Sequence, residues 1–208
     1  MSNLVYLKTH SILDNSRFIR MFLAKKMDIT YNPDDADLIV FGGGSDINPK
    51  LYDQKPHEST HFSDVLDSSD IALYNKYKGK NMVGICRGAQ LGHVLAGGSL
   101  IQDINNHYGD HYATVGGATV KLPSDHHQSM SDPNVGDVLA LCRTATKKEI
   151  MNTDGFSENI QEKLPFDIEI MYHPNTKFLS MQAHPEYAGV DECTKTFFNF
   201  IKKIFNIG

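Results

Sequence analysis

The chain has 208 residues, a formal net charge of −5, 40% hydrophobic and 22% charged residues, and three cysteines. A chain of this length buries roughly 70% of its unfolded surface and needs no disulfide or metal staple, and its ordinary apolar share excludes wholesale disorder. The acidic balance argues against a nucleic-acid binder, and no apolar run approaches the length of a membrane span.

In chain order, residues 4–7 read as a short strand. Residues 15–25 place Phe18, Ile19, Phe22 and Leu23 at helical spacing, with Asp14 or Asn15 as the N-cap. The apolar run 38–41 follows Asp34, Asp35 and Asp37 and ends in Gly42-Gly43-Gly44. A helix is expected over 67–77, with Ile71, Leu73 and Tyr74 on its inner face, then a strand at 82–85 and a further helix over 90–96. Residues 118–122, 138–142, 168–171 and 178–182 are strand-like, with little helix between them. The closing segment 193–204 carries Phe197, Phe198, Phe200, Ile201 and Ile204 at helical spacing. Strands alternating with helices predict an α/β fold with a mostly parallel central sheet. The strand-rich stretch 118–182 predicts an antiparallel extension. With no repeat and no linker in view, one domain over 1–208 is expected. The opening residues lack a basic segment followed by a long apolar one, which points to a cytoplasmic protein.

Cys86, Cys142 and Cys193 are far apart and form no CxxC pair, so neither a disulfide framework nor a cysteine-based zinc site is expected. Cys86 stands in Gly84-Ile85-Cys86-Arg87-Gly88, between a strand and a helix. This is the cysteine form of the G-x-S-x-G elbow. Glycines two residues to either side remove the Cβ atoms that would clash in so sharp a turn. The sulfur then lies at a helix N-terminus, whose dipole favours a thiolate, and the Arg87 N–H points toward a developing oxyanion. Taken alone, the motif also fits a small cysteine buried in a core strand.

A cysteine nucleophile needs a base, and the base needs orienting. Gln182-Ala183-His184-Pro185-Glu186 ends an apolar run and offers both in His184 and Glu186. Alone, it also fits a surface histidine at a strand end. His57 with His61, and His107 with His111, are spaced i, i+4 as two metal ligands on a helix would be, but Pro56 and Gly109 make both segments poor helices. No metal is expected there. His126-His127-Gln128 lies between two predicted strands and can line a cleft.

Together these segments resemble the class I glutamine amidotransferases, and within them the gamma-glutamyl-gamma-aminobutyrate hydrolase type of peptidase. The resemblance rests on Gly43-Gly44-Ser45-Asp46-Ile47-Asn48-Pro49-Lys50-Leu51-Tyr52, on the elbow through Gln90, and on Gly97-Gly98-Ser99-Leu100-Ile101-Gln102-Asp103. It continues in Ser124-Asp125-His126-His127-Gln128 and the block at 182–186, with a weaker echo in Asp154-Gly155-Phe156-Ser157-Glu158-Asn159-Ile160. It implies a three-layer, flavodoxin-like α/β fold with a Cys-His-Glu triad. By position, Cys86 is the nucleophile, His184 the base and Glu186 its orienter. Gly44 and Arg87 supply oxyanion N–H groups, and Gly43, Gln90, His127 and Gln128 face the glutamyl moiety. Where that type carries R-D-x-x-E before the nucleophile strand, this chain has Ser69, Asp70 and Leu73, which puts the leaving-group side of the pocket in question.

The implied reaction is hydrolysis of a gamma-glutamyl amide through a glutamyl thioester, with a small-molecule substrate and no metal or organic cofactor. One alternative is a glutaminase subunit that delivers ammonia to a synthetase partner chain. Another is a catalytically silent binding module on the same fold. No G-x-x-x-x-G-K-[ST] loop occurs, and no nucleic-acid or membrane partner is expected.

Overall fold

The computed structural model describes residues 2–187 and 191–208, and the structural statements below concern these. The elements of the first half are β1 (Leu4–Lys8), α1 (Ile12–Leu23), β2 (Asp28–Thr30), β3 (Leu38–Phe41), α2 (Asp64–Lys76), β4 (Asn81–Ile85) and α3 (Arg87–Leu95). The strands that follow are β5 (Leu100–Ile101), β6 (Asp103–Ile104), β7 (Tyr108–Val115), β8 (Ala118–Asp125), β9 (Ser129–Met130) and β10 (Asp137–Cys142). The chain continues with β11 (Lys148–Met151), β12 (Ser157–Asn159), β13 (Asp167–His173) and β14 (Phe178–Met181), and α4 (Asp191–Phe205) closes it.

The main sheet runs β2-β1-β3-β4-β14-β13-β10-β7-β8. Its first five strands are parallel to one another. From β13 onward every pairing is antiparallel, which is the expected extension. β6, β11 and β12 form a separate small sheet.

Alternation along the parallel strands divides the core in two. Val40, Val83, Ile85, Leu179 and Met181 pack with Phe18 and Phe22 of α1 and with Phe197 and Ile201 of α4. Ile39, Phe41, Met82 and Phe178 pack with Tyr74 of α2 and with Leu91 and Val94 of α3. Helices thus cover both faces, giving the three-layer fold. That is why β3 is buried at all four positions and reads as a continuous apolar run.

The helices start earlier than their apolar spacing indicates. The cap of α1 is Ser11, whose hydroxyl accepts from the Asp14 N–H, and not Asp14 or Asn15. Ile12 and Leu13 in its first turn are exposed, so the hydrophobic stripe begins a turn late. On α2 the inner face carries Asp67 and Asp70 beside Tyr74, which hides the helix from an apolar count. α3 is buried from Arg87 through Val94 and therefore lacks an amphipathic pattern. β7 carries no apolar alternation, yet it pairs with β8 along its whole length. The two are joined by Gly116-Gly117, both at positive φ, which is the two-residue turn a hairpin of this twist requires.

Candidate active site

β3, β4 and β14 lie side by side and parallel, so their carboxyl ends open on the same edge. Open α/β sheets bind ligands at such an edge. Cys86 stands at this edge between β4 and α3 with φ 52° and ψ −110°, a backbone state that L residues avoid. The flanking glycines permit it. A Cβ on Gly84 would lie 2.1 Å from the Gly88 carbonyl oxygen, and a Cβ on Gly88 2.2 Å from the Phe41 oxygen. The Gly88 N–H also donates to the Gly42 oxygen at 3.1 Å, locking the elbow to the glycine loop after β3.

β14 runs beside β4 in a register that sets Met181 next to Ile85. Three residues on, the His184 N–H donates to the Pro123 carbonyl at 3.1 Å, and its Nδ1 lies 2.7 Å from Glu186 Oε1. The ring stacks on Tyr187, with centroids 4.3 Å apart and planes 10° apart. Gly43 touches both sides of the site: a Cβ there would sit 3.6 Å from His184 Cε1 and 3.9 Å from Cys86 Cβ. Burial disfavours an imidazolium at His184, but the Cys86 sulfur and the Glu186 carboxylate outweigh it and push the ring up to about 10. Cys86, His184 and Glu186 are thus brought together, all three buried.

The Arg87 side chain braces the elbow. Its buried guanidinium reaches Asp70 at 2.5 Å and Asp67 at 2.6 Å, tying the elbow to α2. Asp67 also accepts from the Asn48 N–H at 3.0 Å, and Asp70 from His10 Nε2 at 2.8 Å. The Arg87 side chain lies against Gly44, where a Cβ would meet its Cδ at 2.9 Å. Of the altered positions on α2, Ser69 accepts from Lys8 and Leu73 packs into the Phe41–Phe178 cluster.

The remaining predicted residues divide. His127 is half-buried, with Nε2 3.1 Å from Asp46 Oδ1, and the carboxylate raises its affinity for a proton. It lines an open cleft of about 480 Å³ with Ser59, His61, Asp103, Asn105 and Tyr108. Gln90 and Gln128 are deeply buried. The Gln128 carbonyl accepts from the Gln90 amide at 3.0 Å and from the Gln182 amide at 3.2 Å, while its own amide donates to Thr60. Reading the sequence missed Asp46, Asp67 and Tyr187. The signals were present: an aspartate in the glycine loop, two acidic residues on the Tyr74 face of a helix, and an aromatic next to Glu186.

The model of the peptidase C26 family matches residues 18–186 of this chain. The chain belongs to the peptidase C26 family. Members of this family are class I glutamine amidotransferase-like, and several of the relatives this chain matches carry putative glutamine amidotransferase names. A Mycobacterium tuberculosis protein named "Putative glutamine amidotransferase Rv2859c" is 30% identical over 178 residues, 74% of this chain and 51% of its own length. Protein NtpR of Enterococcus hirae is 36% identical over 78 residues, 36% of this chain and 32% of NtpR. The C26 chain thus spans about half the length of the mycobacterial relative it matches. Among solved structures, a glutamine amidotransferase of Thermotoga maritima superposes with a TM-score of 0.62 at 12% identity, over 99% of this chain and 84% of that one. A Thermoplasma acidophilum chain titled "putative gmp synthase subunit a protein" superposes with a TM-score of 0.65 at 18% identity, over 99% and 95%. At these identities the two structures bear on the fold alone, and that fold is the class I amidotransferase one.

Proposed function

We propose that this peptidase C26 protein is a cysteine-dependent hydrolase of gamma-glutamyl amide bonds, acting through a glutamyl thioester on Cys86. The observation that carries the reading is the strained Cys86 elbow facing His184, whose Nδ1 is held by Glu186 at 2.7 Å. His184 takes the thiol proton, and the sulfur attacks the side-chain carbonyl carbon of the donor. The Gly44 and Arg87 N–H groups hold the oxyanion, an interaction worth about 100- to 1000-fold per donor elsewhere. The C–N bond then breaks, His184 protonates the leaving amine, and water cleaves the thioester. Glu186 fixes the ring and balances its charge.

Gly43 leaves room for the acyl group. His127 lines the open cleft and is paired with Asp46, and the Gln90 amide donates to the Gln128 carbonyl; these residues are assigned to the glutamyl head. A site built to hydrogen-bond a glutamyl head rejects donors that lack it by roughly 10⁴-fold. The test compares gamma-glutamyl and beta-aspartyl amides of one amine: the first should turn over and the second should not. Comparable rates would overturn the reading.

A second reading has support from a structural neighbour titled as a GMP synthase subunit. The chain would then be a glutaminase that passes ammonia to a separate synthetase. Free ammonia released from glutamine by the isolated chain, at a rate no added partner raises, would exclude it.

A further inference from the structure

We propose that His107, His111, Cys142 and Glu169 form a four-coordinate zinc site that staples the antiparallel extension of the sheet. The four residues come from the position just before β7, from β7 itself, from the end of β10 and from β13, and all are buried. Their ligating atoms lie within 4.8 Å of one another. Glu169 Oε1 is 3.3 Å from His107 Nε2, 3.1 Å from His111 Nε2 and 3.4 Å from Cys142 Sγ, and Cys142 Sγ is 3.7 Å from His107 Nε2. Bonds of about 2.0–2.3 Å in a tetrahedron set ligand atoms about 3.3–3.7 Å apart. Four of the six pairs, at 3.1–3.7 Å, are close to those spacings, and the other two lie within 4.8 Å.

Hydrogen bonding leaves the cluster unsatisfied. His111 Nδ1 and Glu169 Oε2 are buried without a hydrogen-bond partner, while His107 Nε2 and His111 Nε2 crowd the one oxygen Glu169 Oε1. His107 Nδ1 lies 3.1 Å from the Asn105 carbonyl, which fixes the proton there and leaves the Nε2 lone pair free. Asp167 stands beside the cluster but is already engaged. It takes the Lys148 ammonium at 2.7 Å and the N–H groups of Thr144 and Ala145 at 2.9 and 3.0 Å. Glu169 is therefore the carboxylate left for a cation. The second acidic group, His57 with Asp103 and Glu149, differs: Lys147 bridges its two carboxylates.

The donor set selects the ion. A thiolate and two imidazoles suit zinc and exclude calcium and magnesium, which take oxygen. Thiolate plus carboxylate neutralise a divalent ion, so no net charge is buried. On binding, the Cys142 S–H bond breaks, the S–Zn bond forms and the proton leaves to solvent. Four protein ligands leave no open position, so the ion is structural and activates no water. Its place matters to the candidate active site. The His126 N–H donates to the His107 carbonyl at 3.2 Å, and the neighbouring Asp125 carbonyl lies 3.9 Å from Cys86 Sγ.

The test uses the untagged full chain from zinc-supplemented cells. Elemental analysis should find close to one zinc per chain. Stripping with a chelator should lower Tm, and zinc alone should restore it. Cobalt(II) in place of zinc should give tetrahedral d–d bands with a thiolate charge-transfer band, and Cys142→Ser should lose the latter. Glu169→Gln should weaken zinc binding by more than the roughly 10–100-fold that losing an outer partner costs. No zinc in the full chain with a Tm unmoved by zinc, or equal zinc binding by wild type and both variants, would overturn the proposal.

Discussion

His184 is buried against Tyr187 and yet favours its charged form, because the Cys86 sulfur and the Glu186 carboxylate flank it. The sulfur is the larger of the two raising influences. Cys86→Ala should therefore bring the His184 titration down from about 10 toward the ordinary 6.5, read by NMR of the ring carbons. An unchanged titration would mean that the two side chains do not interact. The same geometry separates the roles of His184 and Glu186. His184→Asn should cost roughly 10²–10⁴-fold in kcat, the range of general acid–base catalysis, and Glu186→Gln should cost less. Equal losses would show that Glu186 does more than orient. Burial pushes the Cys193 thiol up, away from thiolate, and Cys142 is enclosed in the His107–His111–Glu169 cluster. Iodoacetamide near neutral pH, mapped by peptide mass, should label Cys86 first.

At the scale of elements, the elbow is held from both sides. Gly84 and Gly88 pack backbone to backbone, and Arg87 pins α2 through Asp67 and Asp70. Removing one partner of a buried ion pair costs about 3–5 kcal/mol, so Asp67→Asn should lower the urea midpoint clearly. A shift of less than about 1 kcal/mol would mean that water reaches the pair. These contacts also show what was legible in the sequence. G-x-C-x-G and H-P-E encode a local backbone shape and a two-residue spacing, so the Cys86–His184–Glu186 site could be read from short segments. The parallel strands could be read because both faces are covered and the runs are apolar throughout. Asp67 and Asp70 could not, since their partner lies on another element and a buried acid breaks the apolar count. The i, i+4 spacing of His107 and His111 suggests two ligands on a helix, and Gly109 makes that segment a poor helix. They meet without a helix, His111 on β7 and His107 just before it, with ring centroids 5.0 Å apart and Gly109 at φ +98°. Spacing alone could not supply Cys142 and Glu169, which long-range pairing of β7, β10 and β13 brings in.

Across the whole molecule, a five-strand parallel half carries the candidate site at its strand ends, and an antiparallel half supports it from behind through the 123–128 segment. No helix among the described residues is long and apolar enough to cross a membrane. Charge at His184 should also be visible in global stability. Its folded value, about 10, lies above its ordinary 6.5. The proton is held more tightly in the folded state, so the stabilisation is whole below about pH 6.5 and is lost as pH rises through about 10. Urea unfolding of wild type against His184→Gln should therefore show a difference that shrinks over this window, and a difference that grows would contradict the assignment. In the proposed reaction Cys86 carries a glutamyl group during turnover. Intact-protein mass spectrometry of the chain, quenched in acid while turning over a panel of gamma-glutamyl amides, tests it most directly. The expected result is a mass increment of one glutamyl group, mapped to the Cys86 peptide and absent in Cys86→Ala. Turnover with no adduct on Cys86, or with the adduct retained in Cys86→Ala, would contradict it.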